Sequence, residues 1–411
     1  MSSPIRLPSG VRDFLPRAAA RRLSLAARLG RVFETWGYAR IITPVFECAD
    51  VLERGLGGDA RAAAIRFVEP GTGEVVALRP DITAQVARLV ATRLAEHEGP
   101  VRLCYEGAVY RLSGRLADEM GQREILQAGV ELIDLPAPAG DAEVLAVAAA
   151  ALASASLAET RLDLGHVAPL RYVLDHVPEA ARDDLQRALA KKDRARLRAI
   201  AGTLSPELAP LVAELGSLWG AAGPTLQRAA ALPWPEEVRG ALDQLRVVLH
   251  KFGELADPPA PEVTIDLGDV RGFDYYTGVR FAGYAGGASD AVLRGGRYDS
   301  LIGRYGRPAK ATGFAIDVEG LAQAQRAADQ PLAMARGVAV FGQGAPALAR
   351  SLRSHAIRAV TCPELPTASW LGHAGLDAAV LVDRGELLRP DGSTSVVAMT
   401  PESLATLLGG S

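Results

Sequence analysis

Residues 123–133, REILQAGVELI, carry two kinds of surface on one strand. Leu126, Ala128, Val130 and Leu132 share a face by the two-residue period, and that face is apolar. The opposite face carries Arg123, Ile125, Gln127, Gly129 and Glu131. Just before it, VRLCYEGAVYR (101–111) alternates as a second strand, and the polar run LSGRLADEMGQ (112–122) joins the two as a loop. A chain built this way needs a sheet that sets one face on a core and turns Arg, Gln, Gly and Glu toward something else. A solvated face would account for the polar residues alone. Gly129, between Gln127 and Glu131, also leaves room for a ligand between two polar groups.

A second stretch, VRGFDYYTGVRF (270–281), is not composed like a buried core strand. Gly272 and Gly278 let the backbone turn or approach a ligand closely. Arg271 is a fork of donors suited to a carboxylate or phosphate, and Tyr275 and Tyr276 add aromatic faces with hydroxyl tips. The reading is one wall of a small-molecule pocket, with a polar surface hairpin as the plainer alternative. Near residue 80, LRPDIT places Asp81 where an N-cap would open the helix TAQVARLVATRLAE, and a cap alone would explain that aspartate. Taken together, Asp81, Thr83, Arg111, Gln127, Glu131, Arg271, Tyr275 and Tyr276 suit a zwitterionic amino acid. Carboxylates and a hydroxyl accept from its ammonium, Gln bridges, Arg holds its carboxylate, and Glu131 with a Tyr hydroxyl meets a side chain bearing polar nitrogens.

At 411 residues the chain is too long for one ordinary core, and its 49% hydrophobic and 23% charged content suits a globular protein. A formal charge of -3 does not mark a nucleic-acid binder. Cys48, Cys104 and Cys362 lie far apart, so neither a metal site nor a disulfide framework is expected. No secretory leader and no membrane span are visible, which predicts a cytoplasmic protein. Helical spacing predicts a helix from about Ala18 to Trp36, residues 65–79 form a hairpin, and a helix follows from about Asp141 to Ala158. Residues 169–255 are helical in pattern and carry no recognisable chemistry. LRGGRYDSL (293–301) is a glycine turn and then a helix, and ATGFAIDVEGL (311–321) a strand running into a helix. The last 75 or so residues form a small α/β unit, in which FGQGAP is a plain strand-to-helix turn.

LRPDIT, YEGAVYR with REILQAGVELI, VRGFDYYTG, GGRYDSL and ATGFAIDVEGL occur in the order found in histidyl-tRNA synthetases, so residues 8–325 resemble that family. The resemblance implies an α+β class II synthetase fold, an antiparallel sheet flanked by helices in a dimer. It gives a main domain over 1–325 with a helical insertion at about 169–255, and a C-terminal domain over 336–411. It implies that Asp81, Thr83 and Gln127 meet the ammonium of histidine, Arg271 and Gln127 its carboxylate, and Glu131 and Tyr276 its imidazole, with Tyr275 beside them.

The departures point further. Synthetases of this family end the last motif with an Arg that clamps ATP phosphates, and here Gly320 stands in that place. Loss of such a guanidinium can cost a few kcal/mol of transition-state stabilisation. The 112–122 loop lacks the usual H-E-R-P run. The C-terminal unit is short, with six Arg and no Lys against six acidic residues, so no tRNA-binding face is expected. In this the chain resembles the regulatory subunit of ATP phosphoribosyltransferase. That family assembles with a short catalytic subunit at the first step of histidine synthesis, is needed for its activity and senses histidine as feedback inhibitor. The resemblance implies no catalysis, cofactor or metal of its own. A synthetase with an altered last motif, still holding ATP through Arg111 and Arg123, and a stand-alone histidine sensor are the alternatives.

Overall fold

The computed structural model describes residues 6–112, 121–272, 275–330, 332 and 337–407. Most of the expected 112–122 loop lies outside the described residues. So do Phe273 and Asp274 of the tyrosine motif, and residues 331 and 333–336 of the second expected linker. The chain divides into two compact units, Met1–Gln330 and Pro331–Ser411.

The first unit is built on a nine-stranded sheet. Its spatial order is Ala39–Arg40, Val101–Tyr110, Glu124–Ile133, Ala311–Asp317, Leu293–Arg297, Val279–Ala285, Thr160–His166, Glu262–Asp266 and Trp219–Ala221. Neighbours are antiparallel from Val101–Tyr110 through to Thr160–His166, and two parallel pairings lie outside that block. The apolar face behaves as its period requires. Leu126, Ala128, Val130 and Leu132 are buried in one core with Leu25, Leu29 and Phe33 of the helix Pro16–Thr35 and with the Ala-rich helix Ala139–Ser154. The second face holds a smaller cluster, where Ile82 and, in the helix Thr83–Arg93 that follows it, Val86 and Val90 pack with Leu103, Tyr105 and Ile125. A three-stranded sheet, Phe46–Cys48, Val75–Leu78 and Arg66–Val68, contains the expected hairpin.

Three local expectations are corrected. LRGGRYDSL is not a turn: Leu293–Arg297 is a strand inside the sheet, followed by a short 3-10 turn at Ile302–Tyr305. A Cβ on Gly295 would meet the Gly313 carbonyl and Phe314 Cβ at 2.5 Å and Phe281 Cζ at 2.6 Å, so this glycine answers to crowding within the sheet. The second half of VRGFDYYTGVRF is a buried strand after all, with Val279, Arg280 and Phe281 each under 9% exposed. The helical stretch 169–255 also contains the strand Trp219–Ala221, three residues that add to the sheet through Asp266, Ile265 and Thr264. Three residues are too few for a period to register.

The second unit holds a five-stranded sheet in the order Arg358–Thr361, Gly337–Phe341, Ala378–Leu381, Glu386–Leu388 and Thr394–Val396. The turn after Gly337–Phe341 leads into the helix Ala345–Ser354, as expected. Asp383 Oδ1, just after the neighbouring strand Ala378–Leu381, accepts from the Gln343 N–H at 2.9 Å and satisfies that donor.

Candidate ligand-binding site

The polar face of the sheet forms one wall of a cavity of about 1020 Å³. Register explains its depth. One row across the sheet runs Glu131, Gly313, Gly296, Arg280, Gly165. A second row, four residues along the Glu131 strand, pairs Gln127 with Asp317. Glu131 and Arg280 are thus three strand spacings apart, about 14 Å, with only glycines between them on this face. Each glycine accommodates a neighbour. The Tyr276 ring lies over Gly296, with Cδ1 at 2.8 Å from where a Cβ would stand, and Arg280 Nη2 lies 3.3 Å from that point on Gly165.

Glu131 is 2% exposed, and its Oε2 lies over the lining residue Gly313, in the space a Cβ there would need. Its Oε1 accepts from the Tyr105 hydroxyl at 3.3 Å, whereas Oε2 has no partner. Burial drives its pKa well above the usual carboxylate range, and hydrogen bonds with Thr83 and Tyr105 only partly oppose this. The Thr83 side chain therefore works on Glu131 and Tyr105, at the end the resemblance gave to the imidazole. Gln127 is 7% exposed, lines the cavity and leaves its Oε1 unpaired. Asp81 lines the cavity too. Its Oδ1 also accepts from the Thr83 N–H at 2.6 Å, although the helix proper begins after Ile82, so capping and site roles coincide.

Tyr275 and Tyr276 meet edge to face at 5.3 Å, and Tyr275 packs on Tyr298 at 5.4 Å. All three line the cavity, and burial raises the pKa of both Tyr275 and Tyr276. Arg111 donates its Nε to the Pro80 carbonyl at 2.8 Å. Burial lowers its pKa, and the Asp81 and Asp317 charges oppose that. Arg271 is different: it is about half exposed and already forked onto Asp269, with Nη2 donating to the Tyr284 hydroxyl at 2.8 Å. Burial pushes Asp269 up, but the Arg280 and Arg271 guanidiniums outweigh it and hold its carboxyl far below the usual range.

The structure thus brings Asp81, Thr83, Arg111, Gln127, Tyr275 and Tyr276 to one cavity, sets Glu131 Oε2 over its lining residue Gly313, and leaves Arg271 on its lining already engaged by Asp269. Sequence reasoning passed over Tyr105, Tyr298, Asp269, Arg280 and Gly313. Arg280 sat inside the tyrosine motif as a cation on a strand that proved buried, and Tyr298 was hidden by reading its glycines as a turn. Among the described residues no group of three or more His, Cys, Asp or Glu is placed to hold a metal ion, and no helix is long and apolar enough to cross a membrane.

Comparison with known proteins bears on the family and the fold. The family model of histidyl-tRNA synthetase matches residues 10–321. The chain is 42% identical over 338 residues to the ATP phosphoribosyltransferase regulatory subunit of Anaeromyxobacter sp. (strain K), covering 78% of this chain and 91% of that one. It is 40% identical over 348 residues to the Geobacter sulfurreducens regulatory subunit, covering 82% and 77%. The crystal structure of an ATP phosphoribosyltransferase regulatory subunit/histidyl-tRNA synthetase from Bacillus halodurans C superposes with a TM-score of 0.78 at 29% identity, over 92% of this chain and 99% of that one. The histidyl-tRNA synthetase of Nostoc sp. PCC 7120 matches at a TM-score of 0.79 over 99% of both chains, and at 20% identity it shows the shared fold alone.

Proposed function

The chain belongs to the ATP phosphoribosyltransferase regulatory subunits, a family with the histidyl-tRNA synthetase fold, and on that premise we propose that its cavity is a histidine site that controls a partner enzyme. The observation that carries this reading is the row at Glu131. A buried acid with one unpaired oxygen stands at the end of a row of glycines on the same face, with Gln127 and Asp81 further along the cavity. Histidine fits that sequence of groups. Its imidazole lies toward Glu131 beneath the tyrosines, its ammonium meets Asp81 and Gln127, and its carboxylate lies toward Arg111 and Arg271.

The subunit performs no chemistry in this reading. Gly320 offers no guanidinium to a triphosphate, and Asp317 and Glu319 put acid on that part of the lining. The chain works instead as a dimer assembled with a short catalytic subunit in the cytoplasm. Histidine inhibits because it binds the inhibited arrangement of the assembly more tightly than the active one, and its effect is bounded by that difference in affinity. Calorimetric titration of the chain with histidine, with histidinol and phenylalanine as controls, tests the site. Saturable binding that prefers histidine supports it, and no binding by a folded chain removes it.

A further inference from the structure

The helix Pro16–Thr35 buries one side in the main core and turns the other outward. Arg17, Arg21, Arg28 and Arg31 recur on that outward side at steps of four, seven and three, so they form one stripe about 21 Å long. Arg326, in the last turn of the helix Val318–Ala327 packed alongside, extends it. Arg17, Arg31 and Arg326 are exposed, and Arg21 and Arg28 are half-buried. Among the described residues none of the five pairs with a carboxylate. Arg21 donates to Gln325 Oε1 at 3.3 Å and to the Gln330 carbonyl at 3.0 Å, and Arg28 donates to Ser156 Oγ at 3.3 Å. Two acids on the same helices are engaged elsewhere, Glu319 by Arg22 and Glu34 by Arg40. The arginines therefore feel one another. Burial and the Arg31 and Arg21 charges lower the pKa of Arg28, and burial and the Arg12 and Arg21 charges lower that of Arg326.

A row of like charges raises the energy of the isolated chain, and a surface of opposite sign relieves it. Ala20, Ser24 and Ala27 stand between the arginines, with Leu23 63% exposed beside them. Short side chains let a partner approach closely, and arginine beside an apolar anchor is typical of protein interfaces. A second copy of this chain fits poorly, because a two-fold contact centred on the stripe would set arginine on arginine. A long nucleic acid would run off the stripe onto a chain whose formal net charge is -3.

We infer that this stripe is a docking site for an acidic protein surface, which in the reading above belongs to the catalytic subunit. The inference rests on that reading and gives the assembly its contact. Arginine suits the role, because its planar fork takes a carboxylate through two hydrogen bonds. Arg326 also lines the cavity, so a partner seated on the stripe reaches the rim of the ligand site.

The test is sedimentation velocity of the full chain mixed with the short catalytic subunit, at low and at moderate salt. Wild type is compared with Arg17→Glu/Arg31→Glu and with a control, Arg194→Glu/Arg198→Glu. The control makes the same change in net charge on exposed residues of the helix Arg194–Ala201. The stripe variant is expected to assemble about tenfold more weakly than wild type, with a flatter salt dependence, and the control within about twofold of it. A stripe variant that assembles like wild type, or a control that loses as much, overturns the inference. Should the reversal unfold the chain, Arg17→Gln/Arg31→Gln carries the test, with a several-fold loss expected and no loss overturning it. A tRNA transcript that binds wild type but not the stripe variant, with assembly unchanged, also overturns the protein partner. Wild-type chain that does not assemble with the catalytic subunit overturns the assembly reading itself, a result distinct from assembly that the reversal leaves unaltered.

Discussion

Arg280 donates to Asp269 at 2.7 Å from a position almost wholly inside the sheet, and the same carboxylate takes Arg271 at the rim of the cavity. The two arginines therefore differ in what they hold. Arg280 fixes the aspartate, and Arg271 is fixed by it.

Arg271→Ala is accordingly expected to leave the fold nearly untouched, because Asp269 keeps Arg280 and a half-exposed ion pair contributes under about 1 kcal/mol. Histidine affinity is expected to fall more than tenfold, the scale of a lost charge-assisted contact. Calorimetry beside a melting curve separates the two effects, and unchanged affinity would remove Arg271 from the carboxylate end.

Glu131→Gln keeps the shape of the site and removes its proton exchange. Affinity for histidine is expected to drop about tenfold or more while thermal stability holds or rises, since burial disfavours the ionised acid. A large loss of stability with normal affinity would return Glu131 to a structural role.

Gly313→Ala places a methyl against Glu131 Oε2, the Val130 carbonyl and the Tyr298 hydroxyl. Two of these are buried side-chain oxygens and one is backbone, so the wall cannot yield freely. A stability loss of roughly 1–3 kcal/mol in chemical denaturation is expected, together with loss of histidine binding.

The legible parts of this chain are those whose cause is local. The strands Val101–Tyr110 and Glu124–Ile133 and the helix Pro16–Thr35 carry long, regular apolar periods, and all three stand close to where the sequence puts them. Gly295 and Gly296 were read as a turn because nothing nearby in sequence announces Phe281, Phe314 and Tyr276, whose bulk makes side chains there impossible. Arg280 was passed over because its partner Asp269 lies eleven positions earlier, in the loop that leads into its strand. The polar residues of the site could be gathered from motifs, but the approach of Glu131 and Tyr298 to Gly313 depends on register across three strands, which no single segment encodes.

Glu319, on the cavity lining beside Gly320, supplies a separate pH test. Its Oε2 accepts from the Leu126 N–H at 2.9 Å and its Oε1 faces Arg22 at 2.7 Å, yet burial outweighs these and pushes its pKa up to about 7. Between the ordinary carboxylate range and about pH 7 the folded state then holds more protons at this group than the unfolded chain. Its contribution to stability falls as pH rises through that window. Wild-type stability is expected to decline by roughly 2–3 kcal/mol from this group across pH 4.5 to 7, and Glu319→Gln to flatten that slope in denaturant titrations. Parallel pH profiles for the two proteins would contradict this.

Asp141 and Arg297 provide the structural control. They pair at 2.8 Å with both side chains at most 3% exposed, and Gln244 donates to the other Asp141 oxygen. Asp141→Ala leaves the buried Arg297 guanidinium with the part-exposed Asp299 and the Leu135 carbonyl alone, and is expected to cost about 3 kcal/mol in unfolding experiments. The fraction that remains folded is expected to bind histidine within about twofold of wild type.

The most direct test of the central claim is an ATP phosphoribosyltransferase assay with the short catalytic subunit alone, with this chain, and with this chain plus histidine. The account predicts activity that appears only when the chain is added and falls as histidine is titrated in, with Arg271→Ala activating normally but resisting inhibition. A well-folded chain that neither activates the catalytic subunit nor renders it sensitive to histidine, and that instead supports histidine-dependent pyrophosphate exchange, would contradict it.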